Sequence, residues 1–283
     1  MYGTLYLCAT PIGNLGDMTP RVVELLGEVD VIAAEDTRNS IKLLNHFDIH
    51  TPMTSYHEFN KVEKAYDLIR QLKDGRRIAL ITDAGTPGIS DPGEVLVRMC
   101  HDEGITVTSL PGACACITAL TMSGLPTRRF AFEAFLPSKD REKRERKQIL
   151  EDLKNETRTM IIYEAPHHLR TTLADLYETL GDRQMAVCKE LTKRFESVKR
   201  MMLSEAIALY ESEEPLGEYV LVLEGRSFKD IKQEEEASYQ EIPLEEHMKR
   251  YEDQGIDRKE AMKLVAKDRG MSKREVYALL LEQ

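Results

Sequence analysis

Short apolar runs alternate with amphipathic stretches through the first 225 residues, and no other feature limits the fold as strongly. Thr4 to Thr10 (TLYLCAT) reads as a strand closed by Pro11. Thr19 to Gly27 reads as a helix with Thr19 at the N-cap and Pro20 at its first position. Asp30 to Ala34, Arg77 to Thr82 and Ile105 to Leu110 are further apolar strands. Asn39 to Phe47, Asn60 to Lys73, Gly93 to Glu103 and Ala113 to Met122 have helical spacing. Continuous apolar strands alternating with helices predict an α/β fold with a largely parallel sheet. A Gly/Pro break falls at Ser123 to Arg129 (SGLPTRR), and the alternation then restarts as far as Tyr219 to Leu223 (YVLVL). The expected organisation is an N-terminal α/β domain over 1–123 and a second over 124–226. An acidic linker over 227–243 and a small helical domain over 244–283 follow.

Charge bears on the partner. The net charge of −10 by itself argues against nucleic acid, because phosphate binding favours Lys and Arg. Locally the balance reverses: Ser138 to Lys147 holds six basic and three acidic residues, and Asp257 to Glu275 holds seven and four. Each also reads as an ordinary solvated helix face. No apolar run reaches the roughly 18–20 residues of a membrane span, and the start lacks the pattern of a secretory signal. Five cysteines without Cys-x-x-Cys spacing predict reduced thiols in a cytoplasmic protein, with Cys114 and Cys116 read as small packing residues. His167 and His168 are expected to diverge, and no metal site is expected.

In open α/β sheets, ligands bind beyond the carboxyl ends of the strands. Three segments fall there: Thr10 to Gly16 after the first strand, Thr82 to Gly93 (TDAGTPGISDPG), and Pro111 to Cys116. The second holds more Gly, Pro and Asp than a turn requires. Glycine permits close backbone approach to a ligand, and proline keeps the loop in shape without one. Neither G-x-G-x-x-G nor G-x-x-x-x-G-K-[ST] is present, which disfavours a standard dinucleotide fold or P-loop.

These loops carry a resemblance. T-P-I-G-N-L-G-D, Ala34-Glu35-Asp36-Thr37-Arg38, T-D-A-G-T-P-G-I-S-D-P-G, Tyr163-Glu164-Ala165-Pro166-His167, Lys189-Glu190-Leu191-Thr192-Lys193 and Gly217 to Gly225 occur in this order. The pattern, from about Leu5 to Gly225, resembles the tetrapyrrole methylase fold family, and within it the methyltransferases of small-subunit ribosomal RNA. The tail around Gly270 to Tyr277 is similar to a small helical domain appended to such enzymes. His168 departs from the pattern, which has Arg there. The resemblance implies two α/β domains with S-adenosylmethionine in the cleft between them, and a homodimer. It also implies 2′-O-methylation of a cytidine ribose in the decoding region of 16S ribosomal RNA, on the small ribosomal subunit.

Loop placement and the resemblance together predict that Asp83, Gly85, Pro87, Ile89, Ser90, Cys114 and Ala115 lie beside the cofactor. Pro11 is expected near its rim, and Tyr163, Leu191 and Tyr219 are expected to face it from the second domain. A ribose hydroxyl is a poor nucleophile at neutral pH, so a base or a field favouring the alkoxide is needed. The candidates are Lys193, Glu190 and Asp36, with Glu35, Asp83 and Lys189 behind them. Lys193 can stabilise an alkoxide, or act as a base if burial lowers its pKa. Arg128, Arg129, Arg141, Lys143, Arg144, Arg146 and Lys147 are the expected RNA contacts. Two alternatives remain at this level. One is a methylase of the same fold acting on a tetrapyrrole or a modified histidine. The other is a helix-turn-helix DNA-binding regulator with a ligand-sensing α/β part.

Overall fold

A strand buried on both faces needs apolar side chains at every position, and Val31–Ala34 and Ile78–Ile81 have them. In the computed structural model, which describes residues 1–137 and 142–281, both runs are strands. The first part of the chain comprises β1 (Thr4–Cys8), α1 (Pro20–Glu28), β2 (Val31–Ala34), α2 (Thr37–His46), β3 (Met53–Ser55), α3 (Lys61–Lys73), β4 (Ile78–Ile81), α4 (Gly93–Asp102) and β5 (Thr106–Leu110). Its sheet runs β3-β2-β4-β1-β5, and every pair is parallel. Leu5, Ala33, Ile78 and Leu80 pack on one face with α3 and α4. Cys8, Ile32, Ala34, Ala79 and Ile81 pack on the other with α1 and α2. β3 has only three residues and no periodicity of its own, so nothing in the sequence announces it.

Next come α5 (Ala115–Ser123), β6 (Phe130–Phe135), α6 (Lys143–Leu153), β7 (Thr159–Glu164), α7 (Leu169–Leu180), β8 (Gln184–Lys189), β9 (Ser197–Met202), α8 (Leu203–Ser212) and β10 (Tyr219–Leu223). The second sheet runs β6-β7-β10-β8-β9. Only β6 and β7 are parallel; β10 is antiparallel to β7 and β8, and β8 to β9. The second sheet is thus mainly antiparallel, and β8 and β9 are neighbours joined without a helical crossover. One face is covered by α6, α7 and α8. The other is covered by α5, whose Cys116, Ala119 and Leu120 pack against Ile161, Ala186, Cys188, Val220 and Val222. α5 is apolar nearly all round, and Ile117 and Met122 on its far side are exposed. Residues 1–154 and 158–224 form one compact unit.

Residues 155–157 and 225–283 form a second unit. Its helices are α9 (Phe228–Gln240), α10 (Leu244–Glu252), α11 (Arg258–Asp268) and α12 (Lys273–Leu281). The stretch read as an acidic linker is thus mostly helix. Ser227 caps it by accepting from the Lys229 N–H, and Lys232 pairs with Glu236 one turn on. Glu, Gln, Lys and Ala are strong helix formers, and no Gly or Pro interrupts residues 228–242. Leu244, Met248, Ala261, Val265, Ala266 and Val276 make the core of this unit. Leu279 is exposed, and Arg269 is buried against His247. Among the described residues, no helix is long and apolar enough to cross a membrane.

The basic helix is also corrected. Arg141 lies outside the described residues. Arg146 points inward: its Nε donates to Asp175 at 2.9 Å, and its terminal nitrogens donate to the Pro137 carbonyl and the Thr172 hydroxyl. It therefore ties α6 to α7 and is no RNA contact. Lys143, Arg144, Lys147, Arg128 and Arg129 are exposed. Arg146 is buried with three hydrogen bonds, and breaking such a network is among the costlier substitutions, so Arg146→Ala should lose about 3 kcal/mol in urea unfolding. Arg144→Ala on the same helix should stay within about 0.5 kcal/mol. Equal losses would contradict this division of the helix.

Candidate active site

The loops after β1 and β4 leave neighbouring strands at the same edge, and a backbone bridge joins them. The Thr10 N–H donates to the Gly85 carbonyl at 2.9 Å, and the Gly85 N–H donates back to Thr10 at 3.1 Å. The Thr10 hydroxyl donates to the Thr82 carbonyl at 3.0 Å. Gly85 has φ +90°, and a Cβ there would sit 3.3 Å from the Ile12 side chain, so the position calls for glycine. Further along, Asp91 Oδ1 accepts from the N–H groups of Gly88 and Gly93 at 2.8 and 3.1 Å. Ser90 is held at φ 67°, a conformation uncommon for a residue with a side chain.

Beside this loop lies a cavity of about 450 Å³. That is in the roughly 300–1,000 Å³ range of small-molecule sites. Asp83, Gly85, Ile89, Ser90, Cys114, Ala115, Tyr163, Leu191 and Tyr219 all line it. Pro11 and Pro87 do not; Pro11 is half-buried in the first loop and Pro87 is buried within the second. The wall also includes Ile12, Glu35, Thr82, Phe135, Glu164, Ala165, Pro166, Glu218 and Val220. All of these but Phe135 lie inside the motifs quoted above, which is the signal the sequence held for them. Glu218 needs the fold as well. It precedes β10, and only the antiparallel pairing of Tyr219 with Glu164 and Lys189 brings it to the edge where β7 and β8 end.

The wall is largely apolar, with carboxylates set into it. Glu35 accepts from the Thr82 hydroxyl at 2.6 Å and from the Asp83 N–H at 3.3 Å. Asp83 in turn accepts from the Asp36 N–H and the Asn39 amide. Tyr163 packs edge-on against Phe132 and Phe135, and its hydroxyl accepts from the Cys116 N–H at 3.0 Å. Asp36 does not line the cavity. It caps α2 and grips Arg38, whose guanidinium holds the carboxyl down at about 2. That pairing leaves it a poor proton acceptor.

Lys193 stands one side chain behind the wall. Its Nζ donates to Glu190 at 2.9 Å and to Glu218 at 2.7 Å. Burial pulls its pKa down, but the hydrogen bonds and charges of Glu218 and Glu190 outweigh burial, and the net shift is upward. Of the two roles left open for Lys193, the upward shift favours the ammonium over the base. Glu190 is held at φ 51° and Thr192 at φ 65°, so the turn carrying this cluster is locally strained. His167 and His168 do not diverge; their rings lie 4.2 Å apart. Among the described residues, no group of three or more His, Cys, Asp or Glu side chains could hold a metal ion.

The tetrapyrrole (corrin/porphyrin) methylase family matches residues 4–207. The chain belongs to this family. Ribosomal RNA small subunit methyltransferase I of Synechocystis sp. is 47% identical over 99% of this chain and 98% of that one. The protein of the same name from Bacillus subtilis is 46% identical over 97% and 93%. Among solved structures, diphthine synthase superposes with TM-score 0.60 at 14% identity, covering 80% of this methylase and 91% of that chain. Uroporphyrin-III C-methyltransferase from Thermus thermophilus, complexed with S-adenosylhomocysteine, superposes with TM-score 0.54 at 17% identity over 78% and 97%. These structures share the fold of this methylase.

Gly13 gives a direct test of the Lys193 cluster. A Cβ at Gly13 would lie 2.4 Å from Lys193 Cγ, and the lysine stem cannot move aside without breaking its two ion pairs. Gly13→Ala should therefore cost about 1–3 kcal/mol. Adding Lys193→Ala should recover part of that loss, with a coupling energy above about 0.5 kcal/mol in a thermal double-mutant cycle. Strict additivity would mean that the two do not meet.

Proposed function

We propose that this methylase transfers a methyl group from S-adenosylmethionine to the ribose 2′-oxygen of a cytidine in the decoding region of 16S ribosomal RNA. The observation that carries the reading is the cavity built on the Thr10–Gly85 bridge. Its donor set suits the cofactor. An adenine and ribose fit an apolar wall that has backbone groups at a glycine held too close for a side chain. A sulfonium and an ammonium fit the carboxylates of Glu35, Asp83, Asp91, Glu164 and Glu218. The near full-length relatives named as small-subunit RNA methyltransferases support the substrate class. Their matches include the helical tail, which removes the ground for reading it as a separate DNA-binding regulator.

When bound, the cofactor supplies an electrophilic methyl group, and catalysis rests largely on placing the nucleophile in line with it. In this proposal Glu190 and Glu218 keep Lys193 protonated, and the Lys193–Glu218 pair sits where the ribose enters. A fixed ammonium there favours the alkoxide of the 2′-oxygen. Lys193 thus acts through charge, and Glu190 holds it. Lys193→Arg should keep more turnover than Lys193→Ala. A homodimer, implied by the family resemblance, is part of the proposal and is read by sedimentation.

Transfer from labelled S-adenosylmethionine to purified small subunits, followed by nucleoside analysis, tests the reading. Label in a 2′-O-methylcytidine is expected, and label only in a base-methylated nucleoside would overturn the site. Gly85→Val should lose cofactor binding by calorimetry while the chain remains folded. Normal affinity in that variant would remove the loop from the cofactor site.

The exposed Arg128, Arg129, Lys143, Arg144 and Lys147 are the proposed contacts to RNA phosphate. Replacing several with Ala should weaken small-subunit binding and lower the salt slope by about 0.7–0.9 for each phosphate that is no longer neutralised. Cofactor affinity should hardly change. An unchanged slope would return these residues to the role of a solvated face.

A further inference from the structure

Cys8, Cys100 and Cys188 are fully buried, and burial pushes each thiol up to about 12. Such cysteines are inert packing groups. Cys114 differs in three respects. It is half-buried and lines the cavity, so small solutes can reach it. It is the N-cap residue of α5, where the unpaired N–H groups of a helix favour negative charge. Its Sγ lies 3.4 Å from Sγ of Cys116, in the first turn of the same helix.

The two sulfurs divide one proton unequally. The hydrogen bond from Cys116 is the main force moving the Cys114 thiol below its ordinary value, and burial opposes it less strongly. Cys116 moves up, first through the same hydrogen bond and then through burial. Both shifts make Cys114, the sulfur that faces the cavity, the more acidic of the pair. An accessible low-pKa sulfur beside a second cysteine is the arrangement found at oxidant-sensitive cysteines.

We propose that Cys114 is a site of reaction with hydroperoxides, that Cys116 resolves it to an intramolecular disulfide, and that this disulfide and the cofactor exclude each other. In the first step the Cys114 thiolate attacks one peroxide oxygen. An S–O bond forms, the O–O bond breaks, and the departing oxygen takes a proton and leaves as water or an alcohol. Sulfur is oxidised to the sulfenic acid and the peroxide is reduced. In the second step the Cys116 sulfur attacks the sulfenic sulfur. The S–S bond forms, the S–O bond breaks, and the hydroxide leaves as water with the Cys116 proton. With hydrogen peroxide, two thiols and one peroxide give one disulfide and two waters, and a dithiol reductant reverses the change. The sulfurs must close from 3.4 Å to about 2.05 Å. That movement pulls on the first turn of α5, where the Cys116 N–H holds the Tyr163 hydroxyl of the opposite wall.

The exclusion of cofactor rests on the reading proposed above; the oxidation does not. The test treats the reduced full-length chain with stoichiometric hydrogen peroxide, alkylates the remaining thiols with iodoacetamide and maps the peptides by mass. The peptide holding both cysteines should lose two hydrogens and escape alkylation, at least about tenfold ahead of any other cysteine. Cys116→Ser should halt at a sulfenic acid that dimedone traps on Cys114, and Cys114→Ser should give neither product. Saturating S-adenosylmethionine should slow the reaction by about tenfold or more. Oxidation spread over all five cysteines, or equal oxidation of Cys114→Ser, would overturn the site. Disulfide formation undiminished by S-adenosylmethionine, in protein shown by calorimetry to bind it, would overturn the exclusion. Failure of the chain to bind S-adenosylmethionine at all would count against the cofactor reading and leave the oxidation result standing.

Discussion

The reciprocal hydrogen bonds between Thr10 and Gly85 hold together what the rest of the site depends on. They join the loops that follow two adjacent strands of the first sheet, β1 and β4. Without that bridge each loop would be a separate surface turn. With it they form one wall, braced by the Thr10 hydroxyl on Thr82, by Glu35 on Thr82 and by Asp91 on two backbone N–H groups. Loop backbone fixed in advance by internal hydrogen bonds loses little freedom when a ligand arrives.

The opposite side of the cavity depends on the direction of a strand. Tyr219 opens β10, while Glu164 and Lys189 close β7 and β8. All three meet at one edge because β10 runs antiparallel to both neighbours. Glu218 reaches the cavity for the same reason, and Lys193 reaches Glu218 because Gly13 leaves room for its stem. The charge of Lys193 follows from this assembly. An ammonium between two carboxylates keeps its proton despite burial.

α5 shows how one segment serves several ends. Its apolar surface covers the second sheet, its first turn holds Tyr163 through a backbone N–H, and its N-cap residue lines the cavity. A helix so placed transmits small changes at Cys114 to both the packing and the wall, since close-packed interiors have little slack.

The apolar runs of β1, β2 and β4 and the Pro, Gly and Asp of the long loop determined the first sheet and its ligand-facing edge. Strand burial and turn chemistry act over a few residues, so the sequence displays them directly. Most of the expected cofactor-facing residues line the cavity for that reason. The tertiary structure alone decided the matters that rest on long-range pairing. It made the second sheet mainly antiparallel and buried Arg146 on Asp175. It set Lys193 between Glu190 and Glu218, and it left Asp36 as a cap for α2. A charged residue reads alike in sequence whether it faces solvent, a buried partner or a cavity. Only packing supplies the neighbours that fix its protonation and its role.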